Sequence, residues 1–129
     1  MKKMIDLHMH IIPDVDDGSV SIEMSEQMLR MAIEQGIEIV FATSHSLAHE
    51  EDTEYTRHQF RKLQKMIKEK ELPIKVYLGC EVFYDIRCID RILKDLDNGR
   101  LPSLNGTKYV LTELFYGLGK DTTYYINIL

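Results

Sequence analysis

Strand-like and helix-like patterns of apolar residues alternate along this chain. Four short, mainly apolar runs predict strands: 4–8, 37–42, 74–78 and 109–114. Between them, apolar residues recur at helical spacing in three segments: 22–35, 53–70 and 89–96. The last residues, 122–129, have the composition of a further helix opening. The order β-α-β-α-β-α-β-(α) predicts an α/β fold of parallel (β/α) repeats in one domain, 1–129.

Residues with specific backbone preferences mark the element boundaries. Ser21 precedes the first helical segment and is a favoured N-cap residue. Gly36 follows that segment, where the left-handed conformation that ends a helix favours glycine. The segment 11–19 contains Pro13, Gly18 and three aspartates, so we expect a loop between the first strand and the first helix.

Composition narrows the class of protein. With 129 residues, the chain can bury roughly two-thirds of its unfolded surface around one core. The net charge of −5 does not indicate a nucleic-acid partner, and no apolar run reaches the length of a membrane span or resembles a signal peptide. Cys80 and Cys88 are too few for a disulfide framework, which favours a reducing, cytoplasmic location.

The predicted strands all finish with residues that can bind a metal. The first strand runs into His8 and His10, and side chains two apart in a strand share a face. The second strand is followed by His45, the third ends at Glu81, and the fourth carries Glu113 near its end. Because functional groups of α/β folds collect at the carboxyl ends of parallel strands, we expect a metal site there. Imidazoles with carboxylates fit Mn, Zn or Fe rather than Mg or Ca alone.

Each of these residues also has a purely structural interpretation. The pair of His8 and His10 could be a solvated strand end. His45 could be a capped loop histidine. Glu81 and Glu113 follow apolar runs, so each could equally be a solvated end of its strand.

The loop behind the first strand adds three carboxylates. Asp14 and Asp16 are typical turn formers, whereas Asp17, directly before Gly18, is the better ligand candidate. The remaining polar candidates are interpreted as structural: His49 and His58 as surface residues, and Cys80 as a packed residue.

The sequence lacks the motifs of two common kinds of phosphate-handling site, the cysteine phosphatase site and the nucleotide-binding loop. A cysteine phosphatase needs an arginine at Cys-x5-Arg spacing, but that position holds Ile86 after Cys80 and Lys94 after Cys88. Neither a Gly-x-Gly-x-x-Gly nor a Walker loop is present, so nucleotide binding is not indicated.

Four segments together resemble the polymerase and histidinol phosphatase (PHP) superfamily: DLHMHIIPDVDDGS, ATSH, GCEVFY and TKYVLTELF. They are most similar to the manganese-dependent protein-tyrosine phosphatases of bacterial capsule and exopolysaccharide operons, the CpsB/YwqE type. The similarity runs from Met4 to about Phe115. It implies the first four βα units of a PHP-type distorted TIM barrel with a trinuclear metal site. The family's ligand positions match His8, His10, Asp17, His45, Glu81 and Glu113.

The resemblance also implies a reaction and its participants. The reaction is hydrolysis of phosphotyrosine on a protein by a metal-activated hydroxide, with Mn²⁺ as the cofactor, or Zn²⁺ or Fe in its place. A capsule-regulating tyrosine kinase is the substrate that the family suggests. Another PHP phosphoesterase, such as a histidinol phosphatase, is an alternative that the DVDDG loop argues against.

Family members are longer than this chain. Past the fourth strand they carry a His-x-Glu-Arg-like block and a later Asp-x-His pair, which complete the metal cluster. The resemblance therefore implies a partial PHP domain, the N-terminal half. Half a barrel leaves open sheet edges, so we expect either that another chain, such as a second copy, completes it or that the fold is poorly stable. A catalytically inactive remnant that binds metal is the second functional interpretation.

Overall fold

The computed structural model describes residues 4–114. In chain order its strands and α-helices are β1 (Met4–Met9), α1 (Ile22–Glu34), β2 (Ile37–Ala42), α2 (Ser46–Glu69), β3 (Lys75–Leu78), β4 (Glu81–Tyr84), α3 (Ile89–Asp97) and β5 (Leu111–Leu114). Single 3-10 turns, Ile86–Cys88 and Leu104–Gly106, flank α3. All strand pairs in this part of the chain are parallel, which confirms an α/β fold with parallel strands. The helix predicted at 122–129 lies outside the described residues.

The strands form two adjoining sheets, ordered β1-β2-β3 and β4-β5. The strand predicted at 74–78 is present as β3, but the prediction that Glu81 closes it is wrong, because Glu81 is the first residue of β4, which was not predicted. The chain changes pairing partner between β3 and β4, from β2 to β5. Pairing with the end of β2 nevertheless continues past the break, since Glu81 N donates to Ser44 O at 2.9 Å. A single bridge between His45 and Glu81 therefore joins the two sheets.

Helix α1 has the boundaries that its flanking residues predict. The Ser21 hydroxyl accepts a hydrogen bond from Met24 N at 3.2 Å and caps the helix. Gly36 follows the helix with a φ of +83°, a conformation that costs glycine little. The buried side of α1 packs with α2 against β2 and β3, and the main core contains Leu29, Val40, Leu63 and Val76.

Helix α2 begins earlier than the hydrophobic period predicts. It starts at Ser46 and bends at Asp52, where φ is −148° and ψ is 86°. Its first segment buries polar residues, among them His49, which is 0% exposed. The prediction that His49 lies on the surface is therefore wrong, whereas His58 is exposed as expected. A pattern of apolar residues cannot mark a helix face whose buried residues are polar.

The first strand has uncovered apolar surface. Within residues 4–114, β1 pairs with β2 alone, and Ile5 and Leu7 on it are 57% and 52% exposed. The resemblance to a partial barrel predicted open sheet edges without assigning them to a strand. No helix in the described part of the chain has the length and apolar content that crossing a membrane requires.

Candidate metal centre

The histidines and acidic residues predicted as ligands converge at the carboxyl ends of β1 and β2. In three sets, nitrogen and oxygen ligand atoms lie within 4.8 Å of one another: His8, His10 and Glu81; His45, Glu81 and Glu113; and His10, Asp16, Asp17 and His45. The sets share members, so they form one continuous cluster. All six residues predicted from the sequence belong to it, together with Asp16.

Hydrogen bonds between β1 and β2 position the paired histidines. Met9 N donates to Thr43 Oγ1 at 3.1 Å, and Thr43 N donates to Met9 O at 3.0 Å. An irregularity in β1 pairing lies between Asp6 and Met9, and His8 N donates to Asp6 Oδ1 at 2.9 Å within it. The rings of His8 and His10 consequently lie side by side, with 3.1 Å between their Nε2 atoms.

Glu81 is the residue around which the three histidines gather. One carboxylate oxygen, Oε1, lies 3.3 Å from His8 Nε2. The other, Oε2, lies 3.0 Å from His10 Nε2 and 3.3 Å from His45 Nδ1. Glu81 is buried, which holds its carboxylate in place between the two sheets. Glu113, on β5, reaches the same region, with Oε2 at 3.8 Å from His45 Nδ1.

The contacts of His10 favour a cation between its ring and Glu81. Asp16 Oδ2 lies 2.8 Å from His10 Nδ1, and a carboxylate accepts hydrogen bonds only, so the neutral ring carries its proton on Nδ1. The lone pair of Nε2 then faces the Glu81 carboxylate at 3.0 Å. Two acceptors at this distance repel each other unless a proton or a cation lies between them. A metal ion satisfies both, so the residues present fit the divalent metal that the family resemblance implies.

The acidic loop contributes two carboxylates with different surroundings. Asp16 accepts from Gly18 N through Oδ1 at 3.0 Å, as the turn former predicted, but its Oδ2 also accepts from His45 N at 3.0 Å. Asp17 has an exposed side chain, and its Oδ1 lies 3.2 Å from His45 Nε2. Asp16 therefore orients His10 and the start of α2, while Asp17 adds an exposed carboxylate beside two of the histidines.

Gly18 allows this loop to lie directly on His10. A Cβ atom at Gly18 would come within 2.3 Å of both the Cβ and the carbonyl oxygen of His10. Ser19 N donates to that same carbonyl at 3.0 Å, so the loop returns against the end of β1. The sequence shows the glycine as a turn residue, but the close approach to His10 is visible only in the fold.

Sequence reasoning missed the positions of two further residues: it placed His49 on the surface and did not consider Tyr55. His49 is buried one helical turn after His45, and burial lowers its pKa to about 4. The four-residue spacing from His45 was the only sequence signal for it. Tyr55 donates its hydroxyl hydrogen to Asp14 Oδ2 at 2.6 Å, and this bond raises the pKa of Tyr55.

The fold and the cluster define an α/β protein with a candidate polynuclear metal centre at its strand ends. The family model of capsular polysaccharide synthesis, CpsB/CapC, matches residues 4–127. The chain belongs to this CpsB/CapC family.

Curated relatives carry tyrosine phosphatase names. The chain is 36% identical over 112 residues to the tyrosine-protein phosphatase YwqE of Bacillus subtilis, covering 85% of this chain and 42% of that protein. It is 30% identical over 128 residues to the putative tyrosine-protein phosphatase CapC of Staphylococcus aureus, covering 98% and 48%. The chain thus spans less than half the length of these relatives.

A solved structure has the same fold. It comes from crystal structures of YwqE from Bacillus subtilis and CpsB from Streptococcus pneumoniae, described as unique metal-dependent tyrosine phosphatases. The TM-score is 0.72 at 29% identity, and the match covers 97% of this chain and 51% of the other.

Proposed function

We propose that this chain supplies strand-end metal ligands of a metal-dependent protein-tyrosine phosphatase. The proposed ligands are His8, His10, Asp17, His45, Glu81 and Glu113, and the proposed metal is Mn²⁺, with Zn²⁺ or Fe as alternatives. The substrate class is a protein carrying phosphotyrosine. A capsule-regulating tyrosine kinase remains the specific substrate predicted from the family.

The observation that supports the proposal most directly is that the cluster concentrates negative charge without a lysine or arginine partner among the described residues. Four carboxylates, from Asp16, Asp17, Glu81 and Glu113, lie among three histidines. Within residues 4–114 no lysine or arginine forms an ion pair with any of them. A phosphate dianion would be repelled from such a centre, so binding it requires resident cations.

The roles of the residues follow from their contacts. A bound divalent cation supplies Lewis acidity, lowers the pKa of a water molecule and neutralises phosphate charge. Glu81 faces all three histidines and would offer its carboxylate to a cation held by them. Asp16 holds the proton of His10 on Nδ1, which keeps Nε2 free as a ligand atom.

The strand arrangement supports the first four βα units of a distorted barrel as the finer description of the fold. β3 and β4 follow each other with only two residues between them, and β3 pairs with β2 whereas β4 pairs with β5. Such a stagger between neighbouring strands accompanies the curvature of a closing barrel. The bridge between His45 and Glu81 marks the point where the pairing shifts.

A metal count and an assay on the same preparation test the proposal. The purified chain is loaded with Mn²⁺, its bound metal is measured by elemental analysis, and hydrolysis of a phosphotyrosine peptide is followed. We expect bound metal and weak manganese-stimulated hydrolysis, both lost in His10→Ala. His58→Ala, on the exposed side of α2, is the matched control and should retain both.

The two measurements separate the parts of the proposal. Bound metal without hydrolysis would contradict the phosphatase activity of this chain and leave the inactive metal-binding interpretation. A chain without bound metal would contradict the whole proposal. Hydrolysis that persists in His10→Ala would show that the activity does not come from this centre.

A further inference from the structure

Three side chains connect helix α2 to the loop that carries Asp16 and Asp17. Gln59 Nε2 donates to Tyr55 Oη at 2.9 Å, and Tyr55 Oη donates to Asp14 Oδ2 at 2.6 Å. The tyrosine hydroxyl therefore acts as acceptor from the helix and as donor to the loop. The proposed phosphatase chemistry assigns no role to this connection.

The helical end of the connection is rigidly held. Gln59 is only 5% exposed, so its amide has little freedom to leave Tyr55. Tyr55 lies in the first turn after the bend in α2, where Asp52 Oδ1 accepts from Tyr55 N at 2.9 Å. A side-chain acceptor at this position fixes the start of a helical segment.

The loop end of the connection is a tightly closed turn. Asp14 N donates to Ser19 O at 2.8 Å, which closes the loop 14–19. Asp14 has a φ of +58°, a left-handed conformation that aspartate adopts more readily than most residues. Asp16 and Asp17 lie within this closed loop, so a displacement of Asp14 moves both carboxylates.

We infer that Tyr55 is a positioning residue for the candidate metal centre, and that it acts through Asp14 on the loop 14–19. The inference rests on the proposed function, because the loop carries Asp17, a proposed ligand, and Asp16, which orients His10. The bond to Asp14 raises the pKa of Tyr55, so the hydroxyl keeps the proton that it donates.

The test uses Co²⁺, whose visible absorption reports ligand geometry, titrated into the whole 129-residue chain. In Tyr55→Phe we expect the dissociation constant for Co²⁺ to rise about tenfold, which is a usual loss when a residue that orients a metal ligand is removed. The visible absorption band of the bound Co²⁺ should also change. Tyr109→Phe is the matched control, because Tyr109 is 64% exposed and its hydroxyl makes no hydrogen bond in residues 4–114. Melting of the metal-free chain should be the same in both variants.

A second pair of variants asks whether Tyr55 acts through Asp14. Asp14→Gly keeps the positive φ and deletes only the carboxylate. Adding Tyr55→Phe to Asp14→Gly should then change Co²⁺ affinity no further. A further tenfold loss would overturn the inference, since Tyr55 would be acting by another route. Unchanged Co²⁺ affinity in Tyr55→Phe alone would also overturn it, while leaving the proposed function intact.

The remaining outcomes are also decisive. If the wild-type chain binds no Co²⁺, the proposed function and this inference both fail. If Tyr55→Phe lowers the melting temperature of the metal-free chain, the Co²⁺ titration is made with Asp14→Asn instead. Asparagine also adopts the left-handed conformation, and its amide oxygen is a weaker acceptor for the Tyr55 hydroxyl. Its Co²⁺ affinity should lie between those of the wild type and Asp14→Gly, and an affinity equal to wild type would overturn the inference.

Discussion

His10 Nε2 and Glu81 Oε2 lie 3.0 Å apart, although 71 residues separate them in sequence. The contact joins the end of β1 to the start of β4, and Glu81 also faces His8 and His45. Removing the charge of Glu81 therefore affects every histidine of the candidate centre. We expect Glu81→Gln to lower Mn²⁺ affinity by more than about 100-fold, measured by equilibrium dialysis with elemental analysis.

Glu113 provides the matched comparison for that prediction. It contacts His45 alone among the histidines, at 3.8 Å, and belongs to one of the three ligand sets. Glu113→Gln should therefore remove at most one bound ion and leave the affinity of the others within about threefold. Equal losses in the two variants would contradict the central position assigned to Glu81.

Gly18→Ala should damage the centre through packing, without removing any ligand. The added Cβ would lie 2.3 Å from His10 Cβ, so the loop must move away from β1. We expect a loss of about 2 kcal/mol in the free energy of unfolding, typical of overpacking, measured by urea titration in EDTA. Mn²⁺ affinity should fall at least about tenfold, because Asp16 moves with the loop.

The control for Gly18→Ala is Gly106→Ala. A Cβ there meets nothing within 4 Å, and only the φ of +70° opposes it, at about 1 kcal/mol. Gly106→Ala should leave Mn²⁺ affinity unchanged. If Gly18→Ala bound Mn²⁺ as tightly as Gly106→Ala does, the close approach of the loop to His10 would have no part in the centre.

Local signals predicted the fold best where hydrophobic period and capping residues agree. Helix α1, between Ser21 and Gly36, is such a case, because both ends and the buried face are encoded locally. The start of α2 was missed because its buried residues, Ser46 and His49, are polar. Strand β4 was missed because so short a run after Gly79 gives no local sign that it pairs with a different strand from β3.

The same distinction applies to the candidate site. Strand ends can be predicted from sequence, so the gathering of His8, His10 and His45 could be expected from parallel topology alone. The second role of Asp16 could not, since it depends on a turn that brings its two oxygens to Gly18 N and to His10 Nδ1. Contacts between segments that are distant in sequence can be identified only once the fold is known. Residue types at the ends of strands and helices can be identified from the sequence itself.

The two cysteines should differ strongly in thiol reactivity. Burial, with a smaller contribution from Glu50, raises the pKa of Cys80 to about 12, and its Sγ contacts Pro102 O at 3.3 Å. At pH 8 only about one Cys80 in 10⁴ would be a thiolate, and the thiolate is the reactive form. With a chromogenic disulfide reagent we expect one fast thiol per native chain, and two after unfolding in urea.

Assigning the fast thiol requires one variant. Cys88 is partly exposed at the start of α3, so Cys88→Ser should abolish the fast reaction of the native chain. Fast labelling that survives in Cys88→Ser would show that Cys80 is accessible, which contradicts its position in the smaller core cluster with Val82, Ile92 and Leu101.

His49 should make the free energy of unfolding depend on pH. Burial, together with the nearby Arg57 charge, lowers the pKa of His49 from 6.5 to about 4, while Asp16 acts weakly in the other direction. As the pH falls through 6.5, His49 takes up a proton in the unfolded chain. In the folded chain it stays neutral until about pH 4. The stability contributed by neutral His49 is thus complete above pH 6.5 and is lost below it, by about 2 kcal/mol between pH 7 and pH 5.

His49→Leu should remove that dependence, and we also expect it to stabilise the fold. Neither ring nitrogen of His49 has a hydrogen-bond partner in the described part of the chain, and an unpaired buried polar group costs about 1–3 kcal/mol. Urea titrations in EDTA at pH 7 and pH 5 measure the slope, with His58→Leu, on the exposed side of α2, as the control that keeps the wild-type slope. Because other groups titrate in the same pH range, the effect of His49 is the difference between the two variants in how much the free energy of unfolding changes from pH 7 to pH 5. Equal slopes in His49→Leu and His58→Leu would mean that His49 is hydrated or charged in the folded chain.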